Sequence, residues 1–168
     1  PDALMPMLKL LRLLLVLALV TGLTACDPNQ VYEKNIDFED YTWSVRQKPA
    51  FTFEIADTMQ RYDVYFNVRN ASAYGYYNLY LKHTLTDPAG KPVSQLLHQM
   101  LLMDPQTGEP RGSGTGDIYD HQFLALPNQQ FHQAGTYKIV LEQYMRQSQL
   151  PGLMAVGVRV AKVAAKKP

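Results

Sequence analysis

From residue 51 to residue 161 the apolar positions recur with a period of two, the pattern of β-strands that have one buried and one wet face. Phe51, Phe53 and Ile55 alternate with Thr52 and Glu54, and Tyr62, Val64, Phe66 and Val68 alternate with Asp63, Tyr65, Asn67 and Arg69. Tyr77, Leu79, Leu81, His83 and Leu85 predict a third strand, closed by the turn Asp87-Pro-Ala-Gly90. Val93 to Met103 is apolar and Gln-rich; its spacing also suits a helix, but directly after that turn it is expected to return as an antiparallel strand. Asp104 to Gly116 holds two Pro and four Gly and is expected to be a long loop. Ile118–Leu126 predicts a weaker strand. Tyr137, Ile139 and Leu141 predict another, and Met154, Val156, Val158 and Val160 the last, with Ala155, Gly157, Arg159 and Ala161 between them. No amphipathic helix competes, apart from a possible turn at Tyr144–Leu150. About seven or eight strands joined by loops make the fold class all-β, an antiparallel sandwich of jelly-roll or immunoglobulin-like type. Strand order is not readable at this level.

The first 26 residues follow another pattern. Residues 8–23 read LKLLRLLLVLALVTGL, with Lys9 and Arg12 at the front and no further charge until Asp27. A basic start and an apolar run of about a dozen residues predict a signal helix, and the run is short of the about 20 residues a spanning helix needs. The alternative is an uncleaved single-span anchor. The run ends in Leu23-Thr24-Ala25-Cys26, which resembles the lipobox at which bacterial lipoproteins are acylated and cut. Small residues before the Cys let a peptidase grip extended backbone, and the thiol accepts a diacylglyceryl group. The predicted organisation is a signal peptide over 1–25 (Met7 being a more natural start than Pro1), a tether over 26–35, a sandwich domain over 36–163 and a tail over 164–168. Cys26 is the only Cys in the chain, so no internal disulfide is possible. The one modification expected is lipid on Cys26, and stable anchoring requires the two or more acyl chains this chemistry supplies.

Composition narrows the function classes. A net charge of +1 supplies no basic field for nucleic acid. The domain is long enough to bury a core without metal or disulfide. His83, His98, His121 and His132 lie at no metal-ligand spacing from one another, and no cofactor is expected. Gly-x-Ser-x-Gly is absent. Gly112-Ser-Gly-Thr-Gly116 lacks the Lys-Ser/Thr and the following helix of a phosphate cradle, so it is expected to be a loop. Asp104, Asp117 and Asp120 could bracket calcium only if that loop folded back. Glu54, Glu109 and Glu142 are expected to be surface acids, and no catalytic residue is assigned. The 11 Tyr suit half-buried strand surfaces. In Tyr74-Gly-Tyr-Tyr-Asn-Leu-Tyr80, the alternate residues Tyr74, Tyr76 and Tyr80 would point to solvent as a partner or ligand surface, or else pack on cross-strand neighbours.

The order of motifs along the mature chain also resembles a known family. It runs from Cys26-Asp27 and Val31-Tyr-Glu33 through Trp43 and Phe51-Thr-Phe-Glu-Ile55 to Tyr62-Asp-Val-Tyr-Phe-Asn-Val-Arg-Asn70. It continues through Tyr74-Gly-Tyr-Tyr-Asn-Leu-Tyr-Leu81, Gly114-Thr-Gly-Asp-Ile-Tyr-Asp120, Gly135-Thr-Tyr137, Leu141-Glu-Gln-Tyr-Met-Arg146 and Leu150-Pro-Gly-Leu153 to Val156-Gly-Val158. This is similar to the gliding motility lipoprotein GldH family of the Bacteroidota. The resemblance implies a non-enzymatic, lipid-anchored envelope component. Its partners would be the membrane, other envelope or gliding lipoproteins and the type IX secretion apparatus, and it would face the periplasm or the cell surface. It brings no catalytic residue with it. Arg69 and Arg146 are expected to be members of structural ion pairs. The rival function is a surface carbohydrate-binding lipoprotein that uses the Tyr-rich strands.

Overall fold

A computed structural model describes residues 27–164. The chain folds into antiparallel strands: β1 Gln30–Asp37, β2 Thr42–Ser44, β3 Ala50–Ile55, β4 Arg61–Ala71, β5 Asn78–Thr86 and β6 Pro92–Leu101. They continue as β7 Ser113–Thr115, β8 Ile118–Gln130, β9 Gly135–Gln143, β10 Gln149–Pro151 and β11 Leu153–Lys162. One sheet has the order β1-β11-β4-β8-β7 and the other the order β3-β9-β5-β6; β10 pairs with β2 as a short separate ribbon.

This order decides between the two sandwich types. Of the eight principal strands, only β5 and β6 are consecutive neighbours in one sheet; elsewhere the chain crosses to the opposite sheet at each step. Two Greek keys wound in this way make a jelly roll rather than an immunoglobulin-like fold. The core lies between the sheets. Val64, Phe66 and Val68 of β4 and Val156, Val158 and Val160 of β11 meet Phe51, Phe53, Leu79, Leu81, Ile139 and Leu141 from the other side, all essentially without solvent contact. At one end the β2–β10 ribbon closes the core: Trp43 stands opposite Leu150, stacks on Phe38 at 5.0 Å and donates from Nε1 to the Gln47 carbonyl at 3.0 Å.

The alternation predicted for β3, β4 and β9, and for β5 from Leu79 onward, agrees with the burial pattern, and residues 92–101 do return as a strand beside β5. Tyr77 is exposed and precedes β5, and β11, flanked by β1 and β4, is buried on both faces at all but Arg159 and Lys162, so the wet face predicted for Ala155, Gly157 and Ala161 is absent. Four expectations are corrected. The tether predicted over 26–35 gives way at Gln30 to β1, which pairs with β11 from Gln30 to Asp37. As an edge strand, β1 buries only part of Tyr32 and Ile36, and its Glu33, Lys34 and Asp37 hide the alternation. The domain therefore begins before residue 36. The loop predicted over Asp104–Gly116 contains β7, and the weak strand at 118–126 runs on to Gln130. In place of the turn expected over 144–150, residues 145–148 form bends and Gln149 and Leu150 enter β10. The predicted signal helix, Leu23, Thr24, Ala25 and Cys26 lie outside the described residues.

A candidate docking groove and the polar face opposite

The outer surface of the second sheet carries a groove of about 600 Å³ lined by Tyr76, Tyr77, Tyr80, Leu97, Tyr144 and Arg146, among others. The chain builds it from two segments. Residues 74–77 approach the start of β5, and residues 144–147 leave the end of β9. The second segment is fastened to β5, where the Tyr144 N–H donates to the Tyr80 carbonyl at 2.8 Å. Buried Gln143 fixes the second segment: its Nε2 donates to the Gln147 carbonyl at 2.9 Å and its Oε1 accepts the Met145 N–H at 2.9 Å. Tyr144 is 59% exposed, and the Lys82 ammonium stands over its ring at 5.7 Å from the centroid.

Of the three Tyr singled out from the sequence, Tyr76 and Tyr80 line this groove, and Tyr74 does not. Tyr74 is buried; its hydroxyl donates to the Asn78 carbonyl at 3.0 Å and its ring meets Tyr76 edge-on at 5.6 Å. Burial raises its phenol pKa, so it stays a neutral donor. The period-two count fails here because β5 starts only at Asn78. Tyr74 belongs instead to a turn in which its N–H reaches the Ala71 carbonyl at 3.0 Å. Gly152 packs against that turn, and a Cβ there would lie 2.9 Å from the Tyr74 Cα. Tyr77 and Tyr144, both exposed, complete the aromatic lining although the count did not select them.

A second concavity, of about 360 Å³, lies on the outer face of the first sheet. One transverse row there pairs Asn35 with Gly157, Gly157 with Asn67, and Asn67 with Gln122 across four strands. Asn67 Nδ2 donates to Asn35 Oδ1 at 3.1 Å and to Glu33 Oε1 at 2.9 Å, and Gln122 Nε2 donates to Asn67 Oδ1 at 3.1 Å. Only glycine leaves room for this ladder: a Cβ on residue 157 would fall 1.8 Å from Asn35 Oδ1 and 2.7 Å from the Lys34 carbonyl oxygen. Beside the ladder, Arg69 pairs with both oxygens of Asp120, at 2.8 and 3.2 Å. Arg159 pairs with Glu33 and with Asp27, which ties the first described residue to β11. Arg69 is thus the ion-pair member expected, whereas Arg146 joins no ion pair among the described residues and lines the groove instead.

The structure also assembles a chain that sequence spacing concealed. His83 Nδ1 lies 2.8 Å from His98 Nε2, and His83 Nε2 lies 3.0 Å from Ser94 Oγ. Neighbouring strands β5 and β6 bring the three together on the inner face, against Phe66. The connectivity is that of a nucleophile, base and orienting group, but the electrostatics oppose that chemistry. A triad needs a partner that stabilises the imidazolium. Here the third member is another neutral ring, and burial followed by the nearby His98 pushes the His83 pKa down to about 4. Burial likewise lowers His98, and it lowers His121, whose Nε2 lies 2.8 Å from Asn70 Oδ1. Ring packing and these hydrogen bonds hold all three in place. Asp104 pairs with Arg111 at 3.1 Å, Asp120 with Arg69, and Asp117 meets Ser72 at 3.3 Å, so the three do not converge on a cation. Among the described residues no three His, Cys, Asp or Glu side chains gather as a metal site, and no helix is long and apolar enough to cross a membrane.

Comparison with known proteins places this chain. The gliding motility lipoprotein GldH homolog of Christiangramia forsetii is 30% identical over 146 residues, covering 83% of this chain and 88% of the relative. The gliding motility lipoprotein GldH of Flavobacterium johnsoniae is 27% identical over 136 residues, covering 80% and 82%. Among solved structures, a chain of the T13 IBDV viral particle aligns with 82% of this chain and 32% of its own length, at 18% identity and a TM-score of 0.36. The profile of the family described as GldH lipoprotein matches residues 30–160, from the first residue of β1 nearly to the end of β11, and the chain belongs to that family.

Proposed function

We propose that acyl chains on Cys26 hold this domain to a membrane of the cell envelope, where it serves gliding motility and the type IX secretion apparatus as a non-enzymatic docking component. The observation that carries this proposal is the aromatic groove and its placement. Asp27 sits where β1 begins and β11 ends, whereas Tyr76, Tyr80 and Tyr144 gather towards the opposite end, where β5 begins and β9 ends. Eight residues of β1 at about 3.3 Å each separate the two ends by about 25 Å. A lipid at one end and a rigid aromatic surface at the other suit a module that presents itself to neighbours, because tethering raises its effective concentration near other membrane-held proteins. Exposed Tyr beside an Arg is the composition of protein interfaces.

A photo-crosslinking residue in place of Tyr144 in the native envelope tests the proposal. Capture of gliding or secretion components is expected, and capture of polysaccharide-uptake proteins would contradict it. The same ring cluster supports the carbohydrate-binding alternative. A glycan-array signal lost in Tyr76→Ala and Tyr80→Ala would favour that alternative, and silence across the array would remove it.

A further inference from the structure

The two flanks of the sandwich are guarded unequally. On one flank β1 carries Glu33, Lys34 and Asp37, and the short β3 carries Glu54. Charges of this kind keep exposed strand edges from pairing with other chains. On the other flank the edge of the second sheet is β6, ten residues long, reading PVSQLLHQML. No Asp, Glu, Lys or Arg occurs from Pro92 to Met103, nor from His121 to Tyr137, the stretch that holds most of the neighbouring β8. Val93 is 51%, Leu96 53% and Leu97 52% exposed. A long, uncharged, half-apolar edge is a template for another strand.

The register of β6 identifies the strand that fits. Leu97 stands opposite Lys82 on the outer face, and Leu96 stands opposite buried His83 on the inner face. Ser94 stands opposite Leu85 but Pro92 opposite Thr86, so the register slips at Val93; the regular outer row is Gln95, Leu97, Gln99 and Leu101, and its segment Gln95-Leu97-Gln99 has the same polarity read from either end. In an antiparallel pair, directly opposite residues share a face, so a two-fold axis must pass through a residue rather than between two. With the axis at Leu97, Leu97 meets Leu97 of the second copy and Gln95 meets Gln99. With the axis at Leu96, Leu97 of each copy would face Gln95 of the other, setting apolar side chains against amides. From this self-complementarity we infer that β6 pairs with β6 of a second copy, centred on Leu97, so that the second sheets of two molecules continue into one.

The inference rests on the proposed lipid anchor in one respect. A two-fold axis normal to the second sheet leaves both β1 strands in the layer of the first sheet, on the same side of the dimer, so both lipids can enter one bilayer. Confinement to that bilayer favours a pairing that would be weak in dilute solution.

Disulfide trapping in the intact envelope tests both the pairing and its register. At the two-fold axis, Cα atoms of directly opposite residues lie about 4.5–5.5 Å apart, within disulfide range, whereas a residue four places from the axis lies far from its own copy. Leu97→Cys is expected to give on the order of tenfold more oxidised dimer than Leu101→Cys alone. Co-expressed Gln95→Cys and Gln99→Cys chains should crosslink to each other. Leu97→Lys, which sets like charges face to face at an exposed position, should abolish the dimer while the protein still unfolds cooperatively. Equal crosslinking at 101 and 97, a heterologous product in place of the homodimer, or a dimer that survives Leu97→Lys would overturn the inference. The unmodified chain separates the two claims: a disulfide through Cys26 itself would refute acylation without touching the β6 pairing.

Discussion

Acid should weaken this fold in a defined pH window, through His83. The ring is fully buried between the sheets, bonded to His98 and Ser94, and burial holds its pKa at about 4, below the ordinary value of 6.5. The unfolded chain therefore takes up a proton near pH 6.5 that the folded chain refuses until near pH 4. Stability from this site is complete above pH 6.5 and is lost as pH falls between those values. At pH 5 the unfolded His83 is almost wholly protonated and the folded one about a tenth protonated, which makes the loss between pH 7 and pH 5 about 2 kcal/mol. His98 and His121, also lowered by burial, add in the same direction. Asp104 and Glu142, whose hydrogen bonds hold them below their ordinary values, lose their share only at more acid pH. Urea unfolding followed by the fluorescence of Trp43, the single and fully buried tryptophan, reads this directly. His83→Gln keeps hydrogen-bonding capacity without a titrating ring, and its loss between pH 7 and pH 5 should be smaller by about 2 kcal/mol. Equal losses in the two proteins would refute the assignment.

Other substitutions probe the remaining contacts. Gly157→Ala should cost about 1–3 kcal/mol in the same assay, because its Cβ collides with Asn35 Oδ1 and the Lys34 carbonyl; adding Asn35→Ala should restore only the side-chain part. Trp43→Ala should cost about 3–5 kcal/mol by thermal unfolding followed by circular dichroism, since it empties the position that closes the core. Tyr74→Phe should cost about 1 kcal/mol through the lost bond to Asn78. Tyr144→Ala should change stability by less than about 0.5 kcal/mol and yet weaken partner capture; a collapse in stability would make Tyr144 a structural residue.

Strands that pack one face on the core were legible because burial imposes alternation on them, as at Tyr62, Val64, Phe66 and Val68. Where burial is partial, the signal fades. Charged β1 reads as a tether, and β2 and β10 are too short to show any period, although Trp43 and Leu150 lie at zero exposure. The jelly-roll order rests on which distant strands pair, and local spacing carries no trace of that. The groove was half legible: a run of Tyr marks an aromatic surface, but the start of β5 decides that Tyr74 turns inward and Tyr77 outward. The His83–His98–Ser94 chain had no sequence signal, because cross-strand register alone brings residues 83 and 98 together.

The proposed docking role depends most on where the domain is held, and therefore on one thiol. Cells grown with a clickable fatty-acid probe should label this protein strongly, and Cys26→Ala should lose the label and leave the membrane fraction. Equal labelling of the two, or membrane retention of the unlabelled variant, would contradict a lipid-anchored docking module.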